Sequence, residues 1–237
     1  MVADPAFAAL APGWAFALHD LSGVPRGVAC VPERPVNRAS RGLRLRPMGT
    51  EAHAAQPETG RSPAPAMAAL ATALPALSRG QFPGADSRLA TLTHMRRGEP
   101  AFDVAPGRRE VPCTIRTLTD GPMDALPAEA VALAEAARHG VALEVKEADV
   151  FAACANDSEV AARLAAAACA AGLAVEAGLP VRPPEDFGVF DHAAKAAMLI
   201  PSAGNGPDLH DPDHDFEDGL IAPGAALLAG AARRVLG

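Results

Sequence analysis

One histidine stands between alanines in the run Gly49-Thr50-Glu51-Ala52-His53-Ala54-Ala55-Gln56-Pro57-Glu58-Thr59-Gly60-Arg61-Ser62-Pro63-Ala64. Small residues give the His53 ring little to pack against, and prolines on its C-terminal side fix the chain, so the position reads as presented for chemistry. His19 directly follows the apolar run Trp14–Leu18. That places it at the carboxyl end of a strand in an α/β layer, the usual edge for an active site; the alternative is a strand-end cap. His210 lies among carboxylates in Asp208-Leu209-His210-Asp211-Pro212-Asp213-His214-Asp215. Pro212 breaks the helical spacing that would aim His210 and His214 at one ion, which leaves a solvated acidic loop as the alternative. His19 and His210 can still meet, because both follow strands of one sheet. Arg116, in Cys113-Thr114-Ile115-Arg116-Thr117, is either an exposed strand arginine or a fork for a substrate carboxylate. Glu185 and Asp186, behind Pro183 and Pro184, read as turn and capping residues, and His94, His139 and His192 as surface residues.

These side chains need a scaffold, and the hydrophobic pattern outlines one. After the strand at 14–18 and a Pro-rich connector at 32–35, the chain reads as strand 43–46, helix 63–77, strand 89–96, strand 110–117, helix 123–139 and strand 141–148. Pro63 suits a helix start, and Ser62 can accept from the amides of the next turn. The order βαββαβ is the split ferredoxin-like pattern, a four-stranded antiparallel sheet with helices on one face. Its open face and edge invite pairing with a second copy. A helix at 158–171 closed by Gly172, a strand at 194–200 and a final helix at about 220–236 resume the α/β layer that the first strand opened. The expected organisation is residues 1–40 and 151–237 as two parts of one catalytic domain, with 41–150 inserted between them. A lone first strand with no neighbour upstream suggests that part of the layer lies outside this sequence.

Composition narrows the classes. The 237 residues are 49% hydrophobic and carry a net charge of −7, which supports a core and gives no basic footprint for nucleic acid. Cys30, Cys113, Cys154 and Cys169 are scattered without a C-x-x-C pair, so no zinc knot or redox motif is indicated and buried free thiols are expected. No long uninterrupted apolar run and no basic leader are present, so no membrane segment or signal peptide is expected and the cytoplasm is the default location.

In chain order, Phe16-Ala17-Leu18-His19 with Gly23-Val24-Pro25-Arg26-Gly27, Gly49 through Pro57 with Gly60 and Ser62-Pro63, Phe102-Asp103-Val104-Ala105-Pro106-Gly107, Thr114-Ile115-Arg116-Thr117, Pro184-Glu185-Asp186-Phe187-Gly188, and Leu209-His210-Asp211-Pro212 with Asp215-Phe216 make a series. Together these segments resemble the metal-dependent amidohydrolases of the M20 peptidase type, which include hippurate hydrolase, aminoacylase, carboxypeptidase G and the indole-acetyl-amino-acid hydrolases. The resemblance implies an α/β metallohydrolase catalytic domain, incomplete here, split by a ferredoxin-like lid and dimerisation domain. It implies His19 and His210 as ligands of a divalent metal, zinc or manganese. It also implies that His53 stabilises a developing oxyanion, in its own or a partner subunit, and that Arg116 holds a substrate carboxylate. The implied reaction is hydrolysis of the amide bond of N-acyl amino acids or related small amides, in a homodimer joined through the lid. The family's H-x-C-G-H-D motif and paired glutamates, one of them the general base, do not occur in this sequence, and Asp103 stands where relatives carry a small or amide residue. A non-catalytic dimerisation or binding module and an inactive gene fragment are the alternatives.

Overall fold

The computed structural model describes residues 2–105, 107, 109–178 and 180–237; Pro106 of the third segment above therefore lies outside the described residues. The chain opens with α1 (Pro5–Leu10), β1 (Trp14–Leu18), β2 (Val28–Cys30), β3 (Ala39–Met48), β4 (Ala52–His53) and α2 (Ala64–Ala73). It continues with β5 (Arg88–Leu92), β6 (Arg96–Arg97), β7 (Val104–Ala105), β8 (Arg109–Thr117), α3 (Asp120–Ala136) and β9 (Ala142–Phe151). It closes with α4 (Ser158–Ala170), β10 (Ala174–Glu176), β11 (Lys195–Pro201) and α5 (Ile221–Leu236). Two compact units form, one from residues 1–38 and 153–237 and the other from 39–152.

The first unit is a mixed α/β layer with strand order β1-β11-β2-β10. β1 and β11 run parallel, with Trp14 opposite Lys195 and Leu18 opposite Leu199. Residues Ala196 to Ile200 of β11 are all buried, because both sheet faces are covered and the strand is apolar on both sides. Ala197 and Leu199 pack with Val160 and Leu164 of α4 and Leu227 and Ala231 of α5. Ala196, Met198 and Ile200 turn the other way, onto Val36, Cys154 and Phe187. Asp157 caps α4 by accepting from the amides of Glu159 and Val160 at 2.9 and 3.2 Å, and Gly172 ends it at φ +86°, where Leu173 N donates back to Ala168 O. Trp14, on the edge strand, is roofed by the Arg163 guanidinium at 4.9 Å and the Lys195 ammonium at 5.4 Å, which Glu159 ties together. Against the expectation of no membrane-length apolar segment, Asp218–Leu236 is long and apolar enough by length and composition to cross one; in this fold Leu227 and Ala231 bury its inner stripe.

The second unit is an antiparallel sheet in the order β5-β8-β3-β9, with β6 added to β8. Along β8 the odd-numbered residues Val111, Cys113, Ile115 and Thr117 are buried and the even-numbered ones are not, the period-2 signature of a sheet covered on one face. Leu43 and Leu45 of β3, Leu70 of α2, and Leu126, Ala130 and Ala134 of α3 are buried in the same unit. Each fully buried leucine contributes about 1.5–3 kcal/mol. The uncovered face carries charge instead: Glu110 sits 2.7 Å from Arg44 and 3.6 Å from Arg46, which reaches Glu144 at 3.9 Å. The strand expected over 89–96 stops at Leu92, and Arg96–Arg97 pairs separately with β8. The expectation of four buried thiols holds at Cys113 and Cys154 and fails at two positions, since Cys30 is half-buried and Cys169 is exposed.

Candidate functional site

Parallel pairing of β1 with β11 sets the geometry around His19. The ladder extends one residue past the strand, where His19 N donates to Leu199 O at 3.1 Å. His210 stands on the exposed loop after β11, in the left-handed region at φ 72°. That loop is stitched to the one after β1. Gly23 N donates to Gly204 O at 2.9 Å, Ser22 Oγ to Pro207 O at 2.7 Å and Ser202 Oγ to Val24 O at 2.8 Å. His19 and His210 therefore belong to two joined loops leaving the carboxyl ends of adjacent parallel strands. Nearby, His214 Nδ1 is held 3.1 Å from Pro207 O.

The His19 ring is fixed at both nitrogens. Nδ1 lies 2.7 Å from the Asp20 carbonyl oxygen, which can only accept, so Nδ1 is the donor. That is the arrangement in which a histidine offers Nε2 to a metal. Nε2 faces Glu185 Oε1 at 2.9 Å, with the two side chains 23% and 27% exposed. Glu185 follows Pro183 and Pro184 with an extended backbone at φ −134°, ψ 149°, just ahead of the short helical turn Asp186–His192. Its charge, with that of Asp191, adds to burial in pushing the Cys154 thiol up to about 12. The sequence marked Glu185 as acidic loop chemistry; its partnership with a histidine 166 positions away has no local signature.

The donor chemistry at His19 suits a divalent cation. Among the described residues, however, no group of three or more His, Cys, Asp or Glu side chains gathers closely enough to hold one. A catalytic zinc takes three protein ligands, so these residues supply part of such a centre.

In the second unit, His53 ends the two-residue strand β4, opposite Val104 of β7. The ring is exposed, and its Nδ1 accepts from Ala55 N at 3.0 Å. A neutral ring so held carries its hydrogen on Nε2, which makes it a donor. Gly49 and Gly60 hold the surrounding loop tight: a side chain on Gly49 would come within 2.2 Å of Arg61 O, and one on Gly60 within 2.8 Å of Glu51 O. Arg116 stands on the uncovered sheet face, opposite Ser40 of β3 and Leu89 of β5. Burial lowers its pKa, and among the described residues it has no carboxylate partner.

An α/β layer interrupted in sequence by an antiparallel unit with two helices is a fold shared with solved structures of peptidases and amidases. The chain matches the Bacillus subtilis YXEP protein, described as a dinuclear metal-binding peptidase of the M20 family, with a TM-score of 0.71 at 18% identity, over 94% of this chain and 57% of that one. Similar matches are the aminobenzoyl-glutamate utilization protein of Klebsiella pneumoniae (TM-score 0.72, 18% identity, 93% and 54%) and the aminopeptidase PepT of Bacillus cereus (0.68, 17%, 95% and 58%). The chain thus shares their fold and spans a little over half of their length. Neither a family model nor a curated protein sequence matches it.

Proposed function

We propose that this chain serves metal-dependent hydrolysis of the amide bond in N-acyl amino acids or related small amides, as part of an M20-type catalytic domain with an inserted ferredoxin-like lid. The observation that carries the reading is the His19 ring at the carboxyl end of β1, held at Nδ1 by Asp20 O with Nε2 beside the Glu185 carboxylate, on a fold shared with a dinuclear metal-binding peptidase. His19 and His210 would hold zinc or manganese. A divalent ion so held polarises the amide carbonyl and activates water. The Nε2–H of His53 suits a developing oxyanion, and the guanidinium of Arg116, which has no carboxylate partner among the described residues, suits a substrate carboxylate, as a two-pronged donor. The strand order of the second unit, β5-β8-β3-β9 with two helices between strands, supports the lid reading, and its open β9 edge supports a homodimer. The further donors and the general base would come from the part of the fold that the longer relatives possess.

Calorimetric titration of the purified chain with zinc and manganese tests this, alongside assays on N-acetyl and N-benzoyl amino acids. The expected result is cation binding that His19→Ala and His210→Ala each weaken, with little turnover by this chain alone. A dimer that binds neither cation at millimolar concentration would replace it with the second reading, a non-catalytic dimerisation module.

A further inference from the structure

We infer that Arg97 and Arg109 form an anion site in the second unit, one that takes a doubly charged phosphoryl group, either inorganic phosphate or a phosphate monoester. It does not rest on the metal reading above.

The pairing of β6 with β8 puts two like charges where a sheet ordinarily avoids them. Arg96 stands opposite Glu110, a favourable pair, but the next residue, Arg97, stands directly opposite Arg109. Side chains so placed leave the sheet on one side with Cβ atoms about 4.5–5.5 Å apart, and like charges there repel. Neither guanidinium is neutralised. Arg97 Nη2 donates to Ser62 Oγ at 3.2 Å and Arg109 Nε to Pro47 O, both uncharged acceptors, and among the described residues no carboxylate pairs with either arginine. Each also keeps a donor out of solvent with nothing to receive it: Arg97 Nε and Arg109 Nη2 are buried without a partner. An unpaired buried donor on a charged group is costly, and an anion between the two would remove both the repulsion and the unmet donors.

The two head groups reach adjoining points of the chain. Arg97 ends at Ser62 and Arg109 at Pro47, and a Cβ on Gly49, two residues after Pro47, would touch Arg61 O and Pro63 Cδ on either side of Ser62. Ser62 Oγ already accepts from Arg97 and from Ala64 N at 3.2 Å, which leaves its hydroxyl hydrogen to donate. It stands just ahead of α2, whose first turn carries no acidic side chain, so the positive end of that helix is not offset locally. Arg109 borders a groove of about 440 Å³ that opens the pair to solvent. The glutamates along that groove are engaged by other cations: Glu99 by Arg96, Glu110 by Arg44 and Arg46, and Glu144 by Arg46 and Lys146. Glu51, close by, accepts from Gly107 N at 3.4 Å. Two guanidinium forks and a hydroxyl suit the several oxygens of a phosphoryl group. Its charge, about −1.5 to −2 near neutral pH, balances two arginines, which the single charge of a carboxylate does not.

The competing possibility is that water alone solvates the pair. Inorganic phosphate is titrated into the full chain by calorimetry, and the thermal midpoint is followed at constant ionic strength, with acetate as the singly charged control. The expected result is millimolar or tighter phosphate binding with a raised midpoint, and a much smaller rise with acetate. Arg97→Met and Arg109→Met should each weaken phosphate binding about tenfold or more, while Arg96→Met, on the same strand, leaves it unchanged. Where a methionine variant does not fold, Arg97→Lys or Arg109→Lys keeps the charge without the fork and should weaken binding severalfold. Methyl phosphate binding as tightly as inorganic phosphate identifies the ester as the ligand class, and weaker binding identifies the free ion. No response of the unaltered chain to tens of millimolar phosphate, an undiminished response in the folded Arg97 and Arg109 variants, or an equal rise with acetate would overturn the inference.

Discussion

Asn156 and Met198 exchange hydrogen bonds through the Asn156 side chain: Met198 N donates to Oδ1 at 2.7 Å and Nδ2 donates to Met198 O at 3.0 Å. The same Nδ2 also donates to Pro32 O at 2.8 Å. β2 meets β11 only at Ile200 and Pro201, so at Met198 the side-chain amide takes the place of a neighbouring strand. Asn156 is 3% exposed, and removing it strands three buried backbone groups. An orphaned buried donor or acceptor costs about 1–3 kcal/mol. Asn156→Ala should therefore lower the stability of the first unit by about 3 kcal/mol, read as a lower urea midpoint. Asn156→Asp should also destabilise, because an ionised carboxylate cannot donate to the two carbonyls. A midpoint unchanged in both would show that water replaces the amide without loss.

Gly49 is a second position where backbone geometry decides the outcome. Thr50 and Arg61 exchange backbone hydrogen bonds at 3.0 and 3.2 Å, and Thr50 Oγ1 accepts from Arg61 N at 2.7 Å. A Cβ on Gly49 would meet Arg61 O at 2.2 Å and Pro63 Cδ at 2.8 Å, neither of them the end of a flexible side chain. Gly49→Ala should cost about 1–3 kcal/mol, in the range of overpacking elsewhere. Hydrogen exchange should speed up at the Thr50 and Arg61 amides while α3 amides keep their protection relative to the new global stability. Unaltered exchange at Thr50 would mean that the loop shifts without strain.

Legibility of this fold follows the length and regularity of each signal. The helix over 158–171 and the strand over 194–200 are visible in the sequence because a run of alanines with leucine spacing and an uninterrupted apolar run each have one reading. Val28–Cys30 and Ala174–Glu176 are three-residue strands, too short for any period, and each is defined by its partner: Val28 pairs with Ala174 and Cys30 with Glu176. The β4–β7 pair is shorter still and exists because Ala54 N reaches Asp103 O at 2.9 Å across 49 positions. The site divides the same way. His19 is legible because it directly follows an apolar run, whereas Asn156 and Glu185 act on groups far along the chain.

His53 should occupy a single tautomer. Its Nδ1 accepts from Ala55 N at 3.0 Å, so the neutral ring is expected to hold its hydrogen on Nε2. Nitrogen-15 chemical shifts of the ring, measured at a pH where it is neutral, discriminate the two forms directly. Ala55→Pro removes the donor and should release the ring into a tautomer mixture. Because the ring is exposed, His53→Ala should change stability by no more than about 0.5 kcal/mol. A loss well beyond that would make His53 a structural residue of the loop.

The buried thiols predict how stability falls in alkali. Burial raises Cys113 to about 11, against a weaker opposing hydrogen bond with Thr91, and raises Cys154 to about 12 through burial, then Asp191, then Glu185. In the unfolded chain both thiols titrate near 9. Below that pH both states hold the proton and the thiols do not alter stability. Above it the unfolded chain ionises first, so unfolding gains up to about 1.4 kcal/mol per pH unit per thiol, until the native thiol also ionises. Stability should thus decline from pH 9 towards 11 and 12. Cys154→Ala should be less stable at neutral pH, because its side-chain volume is lost, and yet show a shallower decline. Alkylation adds an independent check: exposed Cys169 should react in the native state, and Cys113 and Cys154 only when the chain unfolds. Equal slopes for Cys154→Ala and the unaltered chain between pH 9 and 10.5 would mean that the Cys154 thiol is reached by solvent well before global unfolding.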